Sequence, residues 1–219
     1  MIKFINTVVF VNLIYFSSSV LAGSYEDFFK AIRTDNSAQI QSLLDRGFDA
    51  NTINSDGVHG LLMALQLDSF KVAQTLIQWP RTRVEWRNDK DESPLMIASI
   101  KGRTDLMKNL IAKEADVNKT GWTALHYAAS GQQTDAVELL LEHSAYIDAE
   151  SPNGSTPLMM AAMYGKESLV SLLLNAGADP SLKNHLGLTA SDFARRAGRD
   201  ATSKLLEAAV TQWVRQSRQ

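Results

Sequence analysis

Short apolar stripes alternate with polar punctuation along this chain, and the stripes come in pairs. In residues 123–155, Leu125, Ala128 and Ala129 are followed, beyond Gly131 and Gln132, by Val137, Leu139, Leu140 and Leu141. Apolar residues at i, i+3 and i+4 lie on one face of a helix. The pattern predicts a first helix opened by Thr123, whose hydroxyl caps free backbone N–H groups. It predicts a second helix from about Thr134 to His143. The alanine stripe of the first helix is narrow enough to let another helix approach closely. An extended finger then runs through Ile147 and Asp148 to a Pro152-Asn153-Gly154 turn, where proline and glycine supply the dihedrals of a tight bend. The next stretch repeats the plan, with Met159 to Ala162, Gly165, Leu169 to Leu174 and then Gly177-Ala178-Asp179.

The repetition extends over most of the chain. Thr123-Ala124-Leu125-His126-Tyr127-Ala128 and Thr156-Pro157-Leu158-Met159-Met160-Ala161 are the clearest copies of a six-residue pattern. Weaker copies start at His59, Ser93 and Thr189, and a degenerate one starts at Glu26, giving spacings of 33, 34, 30, 33 and 33. A fixed period of that length means a solenoid of stacked units. The motif and the period together resemble ankyrin repeats over roughly residues 24 to 214. The resemblance implies an all-α fold: about six helix-turn-helix repeats starting near 26, 59, 93, 123, 156 and 189, with β-hairpin fingers between them. No long linker interrupts the array, which reads as one domain over residues 23–219.

Departures from the period carry information too. The 30-residue spacing is a three-residue deletion between Asn118 and Trp122, which shortens the finger Lys119-Thr120-Gly121 and leaves a notch in the row. Trp79-Pro80 makes the connection of the second repeat irregular. Glu26, Lys30 and Arg33 give the first repeat the polar outer face that a terminal cap needs, and Trp213 is expected to fold back over the other end. Gly102, Gly165 and Gly198 each fall nine residues after their repeat's start, with Asp35 and Asp68 in the same place earlier. This regularity predicts a left-handed residue between the paired helices.

Residues 1–22 read as a signal peptide. Lys3 precedes a mostly apolar run, Val20-Leu21-Ala22 has the small residues that signal peptidase accepts, and cleavage is expected before Gly23. The run is long enough to span a bilayer, but Asn6, Thr7 and Asn12 interrupt it and no cationic cluster follows; an uncleaved anchor is the alternative. The net charge of −2 does not favour nucleic acid or an anionic membrane surface. Cysteine is absent, which excludes a lipidated leader and disulfide staples alike. Leader, repeats and missing cysteine together point to a monomeric bacterial periplasmic protein, off the membrane once the leader is removed.

Candidate chemistry is thin. His126 is the histidine of the repeat motif and is expected to hydrogen-bond within and between repeats. His59, His143 and His185 sit in three different repeats without metal-ligand spacing. Gly165-Lys166 lacks the earlier glycine and the following Ser/Thr of a phosphate loop. Asp89-Lys90-Asp91-Glu92 lacks the central glycine and distal glutamate of a calcium loop. No nucleophile elbow is present. The expectation is a protein without catalytic residues, metal or cofactor.

What the resemblance does imply is a protein partner. Ankyrin proteins bind through finger tips and the exposed ends of first helices, which map here to Asp89, Lys90 and Glu92; Trp122; Asn153; Leu186; Ile100 and Ser130; and Met163 and Tyr164. Trp122, Met163, Tyr164 and Leu186 concentrate the residue types that dominate interface energies, with Asn153, Asp89 and Lys90 as polar tips. For Trp122, packing on the shortened finger is the competing role. The resemblance further implies roles beside envelope stress enzymes or in neutralising periplasmic toxins. A membrane-tethered scaffold and an exported effector are the alternatives.

Overall fold

A computed structural model describes residues 23–216 of the chain. Both the leader and its cleavage site at Ala22 lie outside the described residues. Twelve helices occupy the described residues, in six pairs, and no strand is present among them. The first, α1, covers residues 23–33, so helix is already established before Glu26. Then follow α2 (Ser37–Asp45), α3 (Gly60–Gln66), α4 (Phe70–Gln78), α5 (Pro94–Ile100), α6 (Thr104–Ala112), α7 (Ala124–Ser130), α8 (Thr134–Glu142), α9 (Pro157–Tyr164), α10 (Glu167–Asn175), α11 (Ala190–Arg196) and α12 (Asp200–Gln216). None of them is long and apolar enough to cross a membrane.

The helix boundaries follow from the motif. The first helices α3, α5, α7, α9 and α11 begin directly after His59, Ser93, Thr123, Thr156 and Thr189. In the last four, the hydroxyl of the starting residue accepts the N–H of the residue three positions on. That geometry satisfies one of the donors that every helix start leaves unpaired. At His59 the ring Nδ1 takes over as acceptor for Leu61 N–H, at 3.2 Å. Second helices then start eleven residues after each repeat begins, from Ser37 to Asp200.

Backbone contacts divide the chain into two compact units, one ending at Arg83 and the other starting at Val84. The division falls in the irregular stretch that follows Trp79-Pro80. In the first unit α3 and α2 both pack on α4, and Phe28 meets Phe29 and Phe48 at ring-centroid distances of 5.2 and 4.9 Å. In the second unit the first helices stack in chain order, α5 on α7, α7 on α9 and α9 on α11. Their second helices cover them from behind. The leucine seventeen residues into each repeat, Leu43, Leu76, Leu110, Leu140, Leu173 or Leu206, is buried in every case.

The fingers depart from the expected β-hairpins. A single isolated bridge pairs Ile53 with His59, and no ladder forms among the described residues. In three of the fingers the reason is the asparagine at the start of the tip. Asn54 Oδ1 accepts the N–H groups of Asp56 and Val58, Asn88 Oδ1 those of Lys90 and Glu92, and Asn184 Oδ1 those of Leu186 and Leu188. One side-chain oxygen thus pairs two tip donors that a ladder would otherwise have to satisfy.

The deleted finger solves the same problem with Lys119. Its ammonium donates to the Thr120 and Trp122 carbonyls, each at 2.9 Å, and pairs with Asp91 Oδ2 at 2.5 Å. The Lys119 side chain is only 1% exposed, so it is a strut inside the short finger and not part of a polar rim. Gly165 also differs from expectation. Its φ of −78° is not left-handed, because α9 runs one residue longer than α3, α5, α7 and α11. Glycine is needed there for space: an added Cβ would lie 2.7 Å from the Ala161 carbonyl oxygen. Gln132, at the same repeat position, does take the left-handed form. Nor does Trp213 fold back. The run Leu205 to Gln212 contains no glycine or proline, so α12 continues for 17 residues. Trp213 lies on it, lining a groove of about 410 Å³ with Leu174, Pro180 and Leu205.

Candidate protein-binding face

The groove is lined from the fifth, eighth and ninth motif positions of the first helices. In the second unit, α5, α7 and α9 place Ile100, Tyr127, Ser130, Met160 and Tyr164 along one groove of about 450 Å³. The fingers add Glu92 and Trp122 to its walls. Three aromatic rings, a methionine and an isoleucine therefore share one cleft. Its one charged lining residue is Glu92.

Local chemistry fixes each wall. Trp122 closes the shortened finger; its carbonyl is tied to Lys119 and its ring meets His126 edge-on at 5.2 Å. It is half-buried, serving the packing of the finger and the groove at once. Tyr127 donates its hydroxyl to Glu92 Oε1 at 2.9 Å, while Asn88 Nδ2 donates to Glu92 Oε2 at 2.7 Å. Burial, and then the neighbouring Glu92 carboxylate, push the Tyr127 hydroxyl well above the usual tyrosine pKa, so it remains a donor. Just outside, the Lys119 ammonium holds Asp91 below the usual carboxylate range.

The seven residues singled out in the sequence separate into three groups. Trp122 and Tyr164 come together in the groove, and Tyr164 is 46% exposed. Met163 lies next to Tyr164 and is half-buried, while Met160 supplies the thioether that lines the cleft. The remaining four occupy finger tips. Leu186 stands 76% exposed. Asn153 is exposed, its side chain engaged with Ser151 and Ser155 and its carbonyl accepting His185 N–H at 3.0 Å. Asp89 and Lys90 are both exposed at the tip before α5. Tyr127 and Met160 are the groove residues that the sequence reading missed. They share the variable fifth position of the motif, and that recurrence at Thr123 and Thr156 plus four was the available signal.

His126 supports the groove from beneath. It is fully buried; its Nε2–H donates to the Ser155 carbonyl at 2.8 Å, and its Nδ1 accepts from Thr123. A carbonyl can only accept, which assigns the proton to Nε2. Burial lowers the pKa of the ring to about 4. The ring thus serves within and between repeats, as the motif implied. Among the described residues, no cluster of three His, Cys, Asp or Glu side chains could hold a metal ion.

Comparison with known proteins agrees with this geometry. The family model "Ankyrin repeats (3 copies)" matches residues 28–120 and 61–151, and "Ankyrin repeat" matches residues 153–185. The nuclear factor NF-kappa-B p105 subunit of Gallus gallus is 30% identical over 161 residues, 70% of this chain and 16% of that protein. Neurogenic locus notch homolog protein 1 of Homo sapiens is 32% identical over 134 residues, 60% of this chain and 5% of that protein. This chain thus spans a small fraction of these relatives' length. A solved ankyrin repeat domain from Acinetobacter baumannii superimposes with a TM-score of 0.72 at 26% identity, covering 83% of this chain and 96% of that one. Repeats of this kind are protein–protein interaction modules. The matched models run almost unbroken from residue 28 to residue 185, over helix pairs that begin where the motif begins, and the chain belongs to the ankyrin repeat family.

Proposed function

We propose that this protein is a non-enzymatic interaction module of the bacterial periplasm that docks a protein partner on the groove between Glu92 and Tyr164. The observation that carries the reading is the convergence of Trp122, Tyr127 and Tyr164 on one cleft. Aromatic residues dominate the energy of protein interfaces, and a partly exposed cluster of them needs a purpose beyond packing. The leader, with Val20-Leu21-Ala22 at its end, and the missing cysteines support export to the periplasm. A bacterial ankyrin domain of nearly the same extent supports a bacterial setting. Assistance to an envelope stress enzyme and neutralisation of a toxin are both roles that such a module could fill.

The test pairs stability with capture. Trp122→Ala and Tyr164→Ala are each measured for melting temperature and for cross-linked partner recovered from envelope extract. Loss of a central aromatic typically costs about 2 kcal/mol or more of binding. Folded variants that no longer recover the wild-type partner are the expected result. Folded variants that still recover it would move the binding face elsewhere, with the Asp89–Lys90 tip as the next candidate.

A further inference from the structure

The groove carries more chemical detail than a generic apolar patch. Its rings come from three separate positions, Trp122, Tyr127 and Tyr164, and its one charge is the carboxylate of Glu92. That carboxylate is held from two sides, with Tyr127 donating to one oxygen and Asn88 to the other. Each carboxylate oxygen has two lone pairs, so both keep acceptor capacity after these bonds. An oriented carboxylate among aromatic rings attracts a cation twice over: by charge, and through the negative faces of the rings. Neighbouring charge does not cancel it. The Lys119 ammonium, which bonds the Trp122 carbonyl, is buried in the finger and committed to Asp91 and two carbonyls.

We infer that the groove receives an arginine side chain of the partner, the guanidinium stacking among Trp122, Tyr127 and Tyr164 and pairing with Glu92. This rests on the groove being the binding face proposed above and names what that face recognises. Arginine fits better than lysine on physical grounds. Its planar, weakly hydrated head stacks on rings and bonds a carboxylate through paired N–H groups, whereas an ammonium is a strongly hydrated point charge. An apolar anchor would fit the rings and Met160 but would bury the Glu92 charge with no counter-charge, leaving only the neutral donors Tyr127 and Asn88.

The experiment uses the purified protein and three capped tripeptides, Ala-Xaa-Ala with arginine, leucine or glutamate in the centre. NMR follows the Trp122 indole N–H and the ring protons of Tyr127 and Tyr164 during titration. The arginine peptide should shift these signals, and the other two should not. Glu92→Gln keeps an acceptor for the Tyr127 hydroxyl but removes the charge; it should weaken arginine binding about threefold or more. Raising salt from about 50 to about 500 mM should weaken it further in the wild type. Melting temperature checks that Glu92→Gln remains folded, and Tyr164→Ala, at an exposed position, provides a second variant expected to lose the shift.

Equal shifts from the leucine peptide, or arginine binding unchanged in Glu92→Gln, would overturn the arginine assignment while leaving the groove as a docking face. Silence with all three peptides overturns it as well. If, in addition, Trp122→Ala and Tyr164→Ala still recover the partner, the docking face itself is lost.

Discussion

His126 and His59 each hold a ring out of reach of solvent, and both are kept neutral by that burial. Folded pKa values of about 4 against an ordinary 6.5 mean that between these limits the unfolded chain binds more protons than the folded one. Stability therefore rises with pH across this window: it is fully present above pH 6.5 and is lost as pH falls toward 4. Each ring accounts for roughly 3 kcal/mol over the whole window. The urea midpoint should drop between pH 7 and pH 5, before most carboxylates titrate, and His126→Gln should flatten that slope. A midpoint constant over this range would show that the folded and unfolded chains take up protons equally, so that the fold does not hold the rings neutral. Lys119 makes a second residue-level case. Sequence alone assigns a lysine at a finger to solvent, since lysine is almost never fully buried without a partner. What reverses this is the deletion, which leaves the Thr120 and Trp122 carbonyls in need of a donor, and Asp91 on the preceding finger, which supplies the counter-charge. Lys119→Met strands the carbonyls and Asp91→Ala strands the ammonium; each should cost about 1–3 kcal/mol. Because both remove the same contact, the double variant should cost less than the two together in chemical denaturation. Strict additivity would mean the pair contributes nothing.

Helices were legible where a local rule decides them. The ring of His59, or the hydroxyl of Ser93, Thr123, Thr156 or Thr189, caps the start of α3, α5, α7, α9 and α11, and each then runs for seven or eight residues. The elements that escaped the sequence are the fingers and the end of α12. Finger hairpins fail because one asparagine oxygen already satisfies two tip donors in each of three fingers. α12 overruns its repeat because no breaker stops it, and this lands Trp213 along α10 instead of over the end. Six leucines recur at one repeat position, seventeen residues after each start, and all are buried. Leu173→Ala removes a side chain that α10 buries completely, and the cavity left behind should cost about 2–5 kcal/mol. Leu172→Ala, one position along on the half-exposed face of the same helix, should cost clearly less. Equal denaturant midpoints for the two variants would show that the helix faces are assigned in the wrong register.

At the scale of the whole molecule, five of the seven groove residues sit at positions the sequence marks for contact, and Tyr127 and Met160 do not. Trp122 and Tyr164 are conspicuous by residue type at positions that ankyrin proteins use. Tyr127 and Met160 sit at the variable fifth motif position, and only the stacking of α7 on α9 brings them beside those two. Glu92 reads as one of four charged residues at a solvated contact tip, and only the structure shows its carboxylate held by Tyr127 and Asn88. Whether this groove meets its partner outside the cytoplasm depends on residues 1–22. Lys3, the apolar run after it and the Val20-Leu21-Ala22 ending have the order that an exported protein shows before processing. Cleavage as proposed would remove Lys3, take the net charge from −2 to −3 and leave Gly23 as the first residue. Protein recovered from the periplasmic fraction of its native host should give an intact mass that starts at Gly23. A full-length mass in the membrane fraction would reject processing and leave the groove on a tethered scaffold. A full-length mass in the cytosolic fraction would reject export altogether.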